Sequence, residues 1–386
     1  MHRSLLVWLI APVVWAVARP LVAQAPAATR VEAPSASTPA ADARAFGRLV
    51  ERLSEPGDYF DTDNLISNER GYLHVMGALD RLGVRGGAYV GVGPDQNFSY
   101  IARVRPSVAF VIDVRRDNLL QHLMFKALFG RARNRAEYLA LLLGRPAPAD
   151  VARWADRPVD TLVAYMDRTP ATAESARAAR EVVLAGARRS GVALTAADLA
   201  TIARFHQAFV DAGLGLQFTS AGRPPRPYYP TLRQLVLERD LAGTQASYLA
   251  READFQFVKA LQGRDLVIPV VGDLAGPHAL AAIGRVVRQR GERVSAFYTS
   301  NVEDYLMRAG SFGRYARTVA GLPRGPRSVI IRSYFGGNFG ERHPEAVPGY
   351  FSTQLVQTMD AFAADAAAGG YASYRDLVFR GPVPLR

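Results

Sequence analysis

The stretch that decides the fold is Val84–Asn118, which reads VRGGAYVGVGPDQNFSYIARVRPSVAFVIDVRRDN. An apolar run from Ala88 to Val92 leads into a glycine-containing turn, and an amphipathic segment follows it. A second apolar run begins at Val108 and ends in the acid Asp113. Short apolar runs separated by a helical pattern are typical of buried parallel strands joined by a helix. The stretch therefore predicts a strand, a tight turn, a helix and a second strand.

A nucleotide pocket of the Rossmann type is built in this order. The glycine turn lets backbone approach the ligand, and a carboxylate at the tip of the next strand accepts ribose hydroxyls. Gly93 and Asp113 lie about 20 residues apart, as that geometry expects. Gly91 and Gly93 also suit a plain strand-to-helix turn, and Asp113 alternatively caps the following helix or pairs with Arg115 or Arg116. The pattern indicates a cofactor pocket without naming a reaction.

Helical periodicity dominates from residue 146 to about residue 262, and strands and helices alternate again after it. This alternation predicts an α/β fold, with a Rossmann-like, mostly parallel sheet, helices on both faces and a large helical insertion. We expect a long helix over 117–143, a helix from Ser67 to Leu82, a helix over 353–367 and a closing strand near 376–379. The expected organisation is a signal peptide (1–25), a disordered linker (26–42), the first part of the sheet domain (43–145), the helical insertion (146–262) and its second part (263–386).

The amino terminus has the pattern of a Sec-type signal peptide. Arg3 precedes an almost wholly apolar run over 5–17, and Ala23-Gln24-Ala25 offers a small-residue cleavage site. Because Pro26 hinders cutting after Ala25, cleavage after Ala23 is an alternative. The apolar run is too short for a comfortable bilayer span, so no stable span is expected after cleavage. We predict a periplasmic or secreted protein.

Composition excludes several classes of function. The chain has 386 residues, is 49% hydrophobic and 21% charged, and is therefore globular. It has no cysteine, which excludes disulfides, thiol catalysis and lipid-modified cysteine. The net charge of +12 comes from scattered arginines, which favours a solvated basic surface over a patch for an anionic partner. No nucleic-acid module accompanies the charge, so a small-molecule ligand is the expected partner. The sequence does not indicate an oligomeric state.

Polar residues follow the predicted strands, where the carboxyl ends of an open sheet line a ligand crevice. In this order of segments the chain resembles class I S-adenosylmethionine-dependent methyltransferases. The resemblance implies S-adenosylmethionine as cofactor, with the glycine turn near its methionine part, an acid on the ribose, an acid on the adenine and a polar motif facing the methyl acceptor. The implied cofactor-binding residues are Gly91, Gly93, Asp95, Gln96, Asn97, Asp113 and Asp273, and the candidate catalytic residues are Tyr298, Ser300 and Asn301.

The chain departs from that family at the turn, where Gly91 replaces an acid and Asp95 and Asn97 stand in later glycine positions. It also resembles a group of uncharacterised bacterial proteins that share Gly-Val-Gly-Pro-Asp-Gln-Asn, Asp-Xaa-Arg-Arg-Asp-Asn-Leu and Phe-Tyr-Xaa-Ser-Asn-Val-Glu segments. That likeness implies a methyltransferase-like fold and no established activity. Enzymatic activity is therefore left open: the chain is either an exported methyltransferase-like protein or a non-catalytic periplasmic ligand-binding or interaction protein derived from that fold.

Other polar residues have plainer interpretations. Asp273, Ser300 and Asn301 also suit helix caps. The histidines show no metal-ligand spacing, so no metal site is predicted. A nicotinamide-dependent oxidoreductase is disfavoured, since the third glycine of Gly-Xaa-Gly-Xaa-Xaa-Gly is missing. The polar residues before the first strand either close over the pocket, bind a cation or form a capped loop; these are Asp61, Asp63, Asn64 and Glu69.

Overall fold

A six-stranded sheet forms the centre of the computed structural model, which describes residues 39–220, 223–336 and 340–386. The strand order is β3-β2-β1-β4-β5-β6, with β5 and β6 antiparallel and every other pair parallel. The strands are β1 (Ala88–Gly91), β2 (Val108–Asp113), β3 (Val267–Val271), β4 (Val294–Ser300), β5 (Val329–Tyr334) and β6 (Thr353–Thr358). The predicted signal peptide and most of the predicted linker lie outside the described residues.

Helices cover both faces of this sheet, which confirms the predicted α/β, Rossmann-like fold. On one side α3, α4 and α10 pack together, and elsewhere α1 packs on α11 and α13 on α14. The helices are α1 (Pro39–Leu53), α2 (Met76–Arg81), α3 (Gln96–Val104), α4 (Arg116–Arg131), α5 (Arg135–Leu142), α6 (Val159–Arg168), α7 (Ala173–Arg189), α8 (Ala196–Ala212), α9 (Leu232–Val236), α10 (Glu252–Gly263), α11 (Ala279–Gln289), α12 (Val302–Arg308), α13 (Phe312–Ala320), α14 (Met359–Ala367) and α15 (Tyr374–Phe379).

The helical insertion lies between α5 and β3. Its helices α7 and α8 pack directly on α4, and α10 then returns the chain to the sheet. Buried side chains of the insertion, such as Val183 and Phe205, belong to the same apolar core as strand residues such as Phe110. Because the core is continuous, Pro39–Arg386 form one compact unit. Within the described residues, no helix is long and apolar enough to cross a membrane.

The expected helix over 353–367 is wrong in its first half, which forms the edge strand β6. Its glutamines hide the strand pattern because they are buried against polar groups of β5. Ser333 Oγ lies 3.0 Å from Gln354 Oε1, and Arg332 Nη1 donates to Gln357 Oε1 at 2.8 Å. Because these polar side chains are hydrogen-bonded in the interior, the sequence of β6 lacks the alternation of apolar and polar residues that marks a strand.

Three further elements differ from expectation. The strand expected near 376–379 is the helix α15, which begins with a reciprocal capping box between Ser373 and Asp376. The long helix over 117–143 breaks where Asn134 accepts hydrogen bonds from the first amides of α5. The helix expected from Ser67 is confined to α2, since Ser67 Oγ instead accepts the Glu69 N–H within a turn.

Candidate functional site

The strand order reverses between β1 and β4, so the ligand crevice of this kind of sheet lies at their carboxyl ends. Residues 54–69, here named the strap, run across these ends in the order of the strands. The strap bonds β3 and β2 through its first residues, since the Glu55 N–H donates to Val271 O at 2.9 Å and the Asp58 N–H donates to Val114 O at 2.8 Å. It ends at Glu69, beside β4, β5 and β6.

Glu55 of the strap occupies the turn between β3 and α11. Its Oε1 accepts the Asp273 N–H at 3.0 Å, and its Oε2 accepts the N–H groups of His278 and Ala279 at 3.0 and 3.2 Å. Gly276 makes this possible, because a Cβ there would overlap the Glu55 carboxylate. The positive end of α11 is thus satisfied by a carboxylate of the chain itself.

Asp113, the predicted ribose ligand, forms a bidentate ion pair with Arg115. The Arg115 guanidinium donates to Asp113 Oδ1 at 3.0 Å and to Oδ2 at 2.7 Å. The same guanidinium donates to the carbonyls of Thr62 and Asp63 at 2.7 and 2.8 Å, and its side chain is only 7% exposed. Arg115 therefore ties the strap to the end of β2, and ribose binding by Asp113 stays a prediction.

The glycine turn is filled by Asn97. Its Nδ2 donates to Val92 O at 2.8 Å and to Pro94 O at 2.7 Å, and its Oδ1 accepts from the Tyr89 hydroxyl at 2.8 Å. A Cβ on Gly91 would overlap Asn97 Oδ1, which explains why glycine is needed there. Asn97 thus binds the turn itself.

Gly93 adopts a φ of +80°, a conformation that favours glycine. Its carbonyl lies 2.9 Å from His122 Nε2, and a Cβ on Gly93 would lie 3.4 Å from the side-chain amides of Asn64 in the strap and of Gln96. Burial lowers the pKa of His122 to about 4, so its imidazole is neutral and Nε2 carries the proton donated to Gly93 O. Gly93 is therefore enclosed by polar side chains from three segments.

The face of α4 beside the glycine turn carries polar atoms that have no partner among the described residues. Asn118, Gln121 and His122 are spaced so that they lie on one face of the helix. All three are buried, and Gln121 Nε2 donates to the strap carbonyl of Leu65 at 2.6 Å. The unpartnered atoms are Asn118 Nδ2 and Oδ1, Gln121 Oε1, His122 Nδ1 and, on α3, Gln96 Oε1.

Glu69 brings together the strand-end residues of the other half of the sheet. It is 1% exposed, and its carboxylate accepts from the Tyr298 hydroxyl at 2.6 Å and from the Ser300 hydroxyl. The Ser333 hydroxyl and Gln354 Nε2 complete its shell. Burial raises the pKa of Glu69, and these four hydrogen bonds lower it in part. Two of the three candidate catalytic residues, Tyr298 and Ser300, thus share one buried carboxyl.

The remaining predicted site residues take separate positions. Asp273 Oδ1 accepts the Ala275 N–H at 2.9 Å in a local turn, and Asn301 stands at the N-cap position of α12 without a side-chain capping bond. Gln96 reaches the Glu69 group, since its Nε2 donates to the Tyr298 hydroxyl at 3.2 Å. Asp95 contacts Tyr248 instead, whose hydroxyl donates to Asp95 Oδ2 at 3.2 Å.

An open cleft of about 640 Å³ lies beside the strap, near the end of β2. Its walls are the strap residues 57–63, the start of α4 and Thr219 of the insertion. Ion pairs of Arg204 with Asp63 and of Arg223 with Asp61 join the insertion to the strap. The insertion therefore helps to hold the strap over the strand ends.

Sequence reasoning missed the residues that close the crevice. Glu69 stood only among several polar residues before β1, and Glu55 was not singled out. Arg115 was named only as an alternative partner of Asp113, although it is also the main anchor of the strap. No local signal identifies them, because each acts on residues that are distant along the chain.

Comparisons with known proteins give a family and no activity. A family model described as "Domain of unknown function (DUF7790)" matches residues 65–184 and 223–380. The two matched segments include the glycine turn, β2, β4 and Glu69. No curated protein matches the chain.

Proposed function

Because this chain belongs to the DUF7790 family, whose description names no activity, we propose its function from the chemistry of the strand-end crevice. It is an exported, methyltransferase-like protein that binds S-adenosylmethionine or a related nucleoside there. The observation that carries this proposal is the buried polar face of α4 at Asn118, Gln121 and His122, which has unused hydrogen-bonding atoms beside the glycine turn. Buried polar groups are costly without partners, so a polar ligand would stabilise this region.

In the closed arrangement, residues of the chain itself occupy polar groups that would bind the nucleoside. Asn97 fills the space over Gly91, Arg115 covers both oxygens of Asp113, and the strap crosses the strand ends. Ligand binding therefore requires Arg115 and the strap to move away from the crevice. We expect the closed form to compete with the ligand and to weaken its apparent affinity.

Calorimetry with S-adenosylmethionine and S-adenosylhomocysteine tests the proposal on protein lacking residues 1–25. We expect Asp113→Ala to weaken binding by about 1.5–3 kcal/mol, since charge-assisted hydrogen bonds to ribose are lost. Arg115→Ala is the matched control: it breaks the same ion pair but leaves the Asp113 carboxylate free, so binding is retained or strengthened.

The outcomes separate the parts of the proposal. If neither heat nor a thermal shift is observed at millimolar ligand, S-adenosylmethionine is not the cofactor. Equal affinity in the wild type and in Asp113→Ala would show that Asp113 has only a structural role.

A second candidate is a non-catalytic ligand-binding or interaction protein. The closure of the crevice by Asn97, Arg115 and Glu55 favours it, and so does the predicted export, because S-adenosylmethionine is made in the cytosol. Transfer of a labelled methyl group from S-adenosylmethionine to any component of a periplasmic extract distinguishes the two. Binding without transfer in that extract favours the second candidate.

Export itself is tested by a fusion of the first 30 residues to alkaline phosphatase, which is active only outside the cytosol. We expect an active fusion, because residues 1–25 have the charge and apolar pattern of a signal peptide. An inactive fusion retained in the cytosol would contradict the predicted location. It would also remove the argument from export against S-adenosylmethionine, since this compound is made in the cytosol.

A further inference from the structure

Buried acids in this protein are normally neutralised by arginine. Among the described residues, eight acidic side chains are buried, and six of them pair with an arginine. Glu69 and Asp95 have no such partner in the described part of the chain. The paired acids are Glu137, Asp198, Glu238, Asp254, Glu303 and Asp304.

Glu69 and Asp95 differ in the number of hydrogen bonds that their carboxylates accept. Glu69 receives hydrogen bonds from three hydroxyls and an amide, which together satisfy its two oxygens. Asp95 is 8% exposed and has one side-chain hydrogen bond, from the Tyr248 hydroxyl at 3.2 Å. Asp95 stands at the N-cap position of α3, yet its carboxylate accepts no hydrogen bond from the amides of that helix. A backbone hydrogen bond at Asp95 itself also favours its charged form, but the carboxylate has neither an arginine nor the four side-chain donors that Glu69 has.

A small cavity of about 10 Å³ adjoins this carboxylate, between the start of α3 and α9. Gln96 lines it as well; its side chain is 6% exposed and its Oε1 has no partner. Tyr72, Ser247 and Tyr248 add hydroxyl oxygens to the wall. A cavity of this volume holds one particle of the size of a water molecule.

We propose that this cavity binds a single monovalent cation of potassium size, held by the Asp95 carboxylate, Gln96 Oε1 and the surrounding hydroxyls. Each of these groups offers a lone pair, and none carries a positive charge. A water molecule would satisfy Gln96 Oε1 but would leave the carboxylate without the counter-charge that the other buried acids have. A divalent ion is disfavoured, because one carboxylate offsets little of the cost of stripping its hydration shell.

The groups around the Asp95 carboxylate supply no full positive charge. They are the phenols of Tyr72, Tyr138 and Tyr248, which stay neutral because burial raises their pKa values. Glu69 is the next acid, beyond the Gln96–Tyr298 hydrogen bond. Burial raises the pKa of Asp95 as well, as expected of a carboxylate without a counter-charge.

Thermal unfolding in KCl and in choline chloride at equal ionic strength, without any nucleoside, tests the proposal. We expect a saturable rise in Tm with K⁺ at pH 7.5, since a ligand that binds only the folded state stabilises it. Asp95→Asn should abolish the K⁺ effect. Asp254→Asn, which alters a buried acid already paired with arginine, should retain it.

Crystals soaked in a Tl⁺ salt give a second readout that does not depend on a variant folding. An anomalous peak in the cavity beside Asp95 supports the site. Equal Tm values in K⁺ and choline, or the lack of a Tl⁺ peak, would overturn it and assign the cavity to water. Because no nucleoside is present, these results are independent of whether S-adenosylmethionine binds.

Discussion

At the scale of single residues, the side chain of Asn97 fixes the conformation of the glycine turn. Its amide donates to carbonyls of the turn and its oxygen accepts from Tyr89, so a side chain of the chain itself holds the turn. This arrangement needs the absence of a side chain at Gly91. Asn97, one of the residues that depart from the methyltransferase pattern, therefore fixes the local structure.

We expect Gly91→Ala to lower the free energy of unfolding by about 1–3 kcal/mol, the usual cost of overpacking a tight interior. The added methyl group would overlap Asn97 Oδ1 and crowd the Tyr89 hydroxyl. Denaturant unfolding measures the change. Gly130→Ala is the control: Gly130 lies in α4 with open space around it, so alanine there is neutral or stabilises by up to about 1 kcal/mol. Equal effects of the two substitutions would contradict the packing argument.

At the scale of elements, the strap is fastened by contacts of unequal strength. Arg115 is 7% exposed and joins Asp113 to two strap carbonyls, whereas the side chains of Arg204 and Asp63 are 53% and 41% exposed. A buried pair leaves an uncompensated charge when one partner is removed, whereas an exposed pair is screened by solvent. The buried anchor should therefore dominate the closure of the crevice.

We expect Arg115→Ala to lower the free energy of unfolding by about 3 kcal/mol and Arg204→Ala by less than about 1 kcal/mol. Hydrogen exchange of residues 54–69 measures the closure directly. These amides should exchange faster in Arg115→Ala than in the wild type and change little in Arg204→Ala. Similar exchange in the two variants would show that the insertion, rather than Arg115, holds the strap.

At the scale of the whole molecule, the insertion and the sheet share one core through α4. Neither can lose its packing without exposing apolar surface of the other, so the two should unfold together. This is the expected behaviour of the single compact unit Pro39–Arg386.

A chain that begins at residue 39 retains one tryptophan, Trp154, which lies in the insertion. We expect the unfolding midpoint from Trp154 fluorescence to coincide with that from far-UV circular dichroism, which follows the helices of the whole molecule. An earlier fluorescence midpoint would show that the insertion melts as a unit of its own.

Part of the architecture follows from local pattern. The apolar runs from Ala88 to Val92 and from Val108 to Asp113 predicted β1 and β2, because strands buried on both faces need continuous apolar residues. The glycine turn and the polar residues after β4 indicated, for the same local reason, the edge of the sheet at which polar side chains gather. β6 escaped prediction because Gln354 and Gln357 are polar and yet buried against β5.

The sequence by itself determined the alternation of strands and helices and the edge of the sheet where polar residues gather, since both depend on neighbours along the chain. Only the tertiary structure decided that this edge is closed. Arg115, Glu55 and Glu69 act on groups brought to them by the folding of the strap across the strand ends. Contacts between residues far apart in the sequence produce no periodic pattern of residues. The closure of the crevice therefore cannot be predicted from the sequence alone.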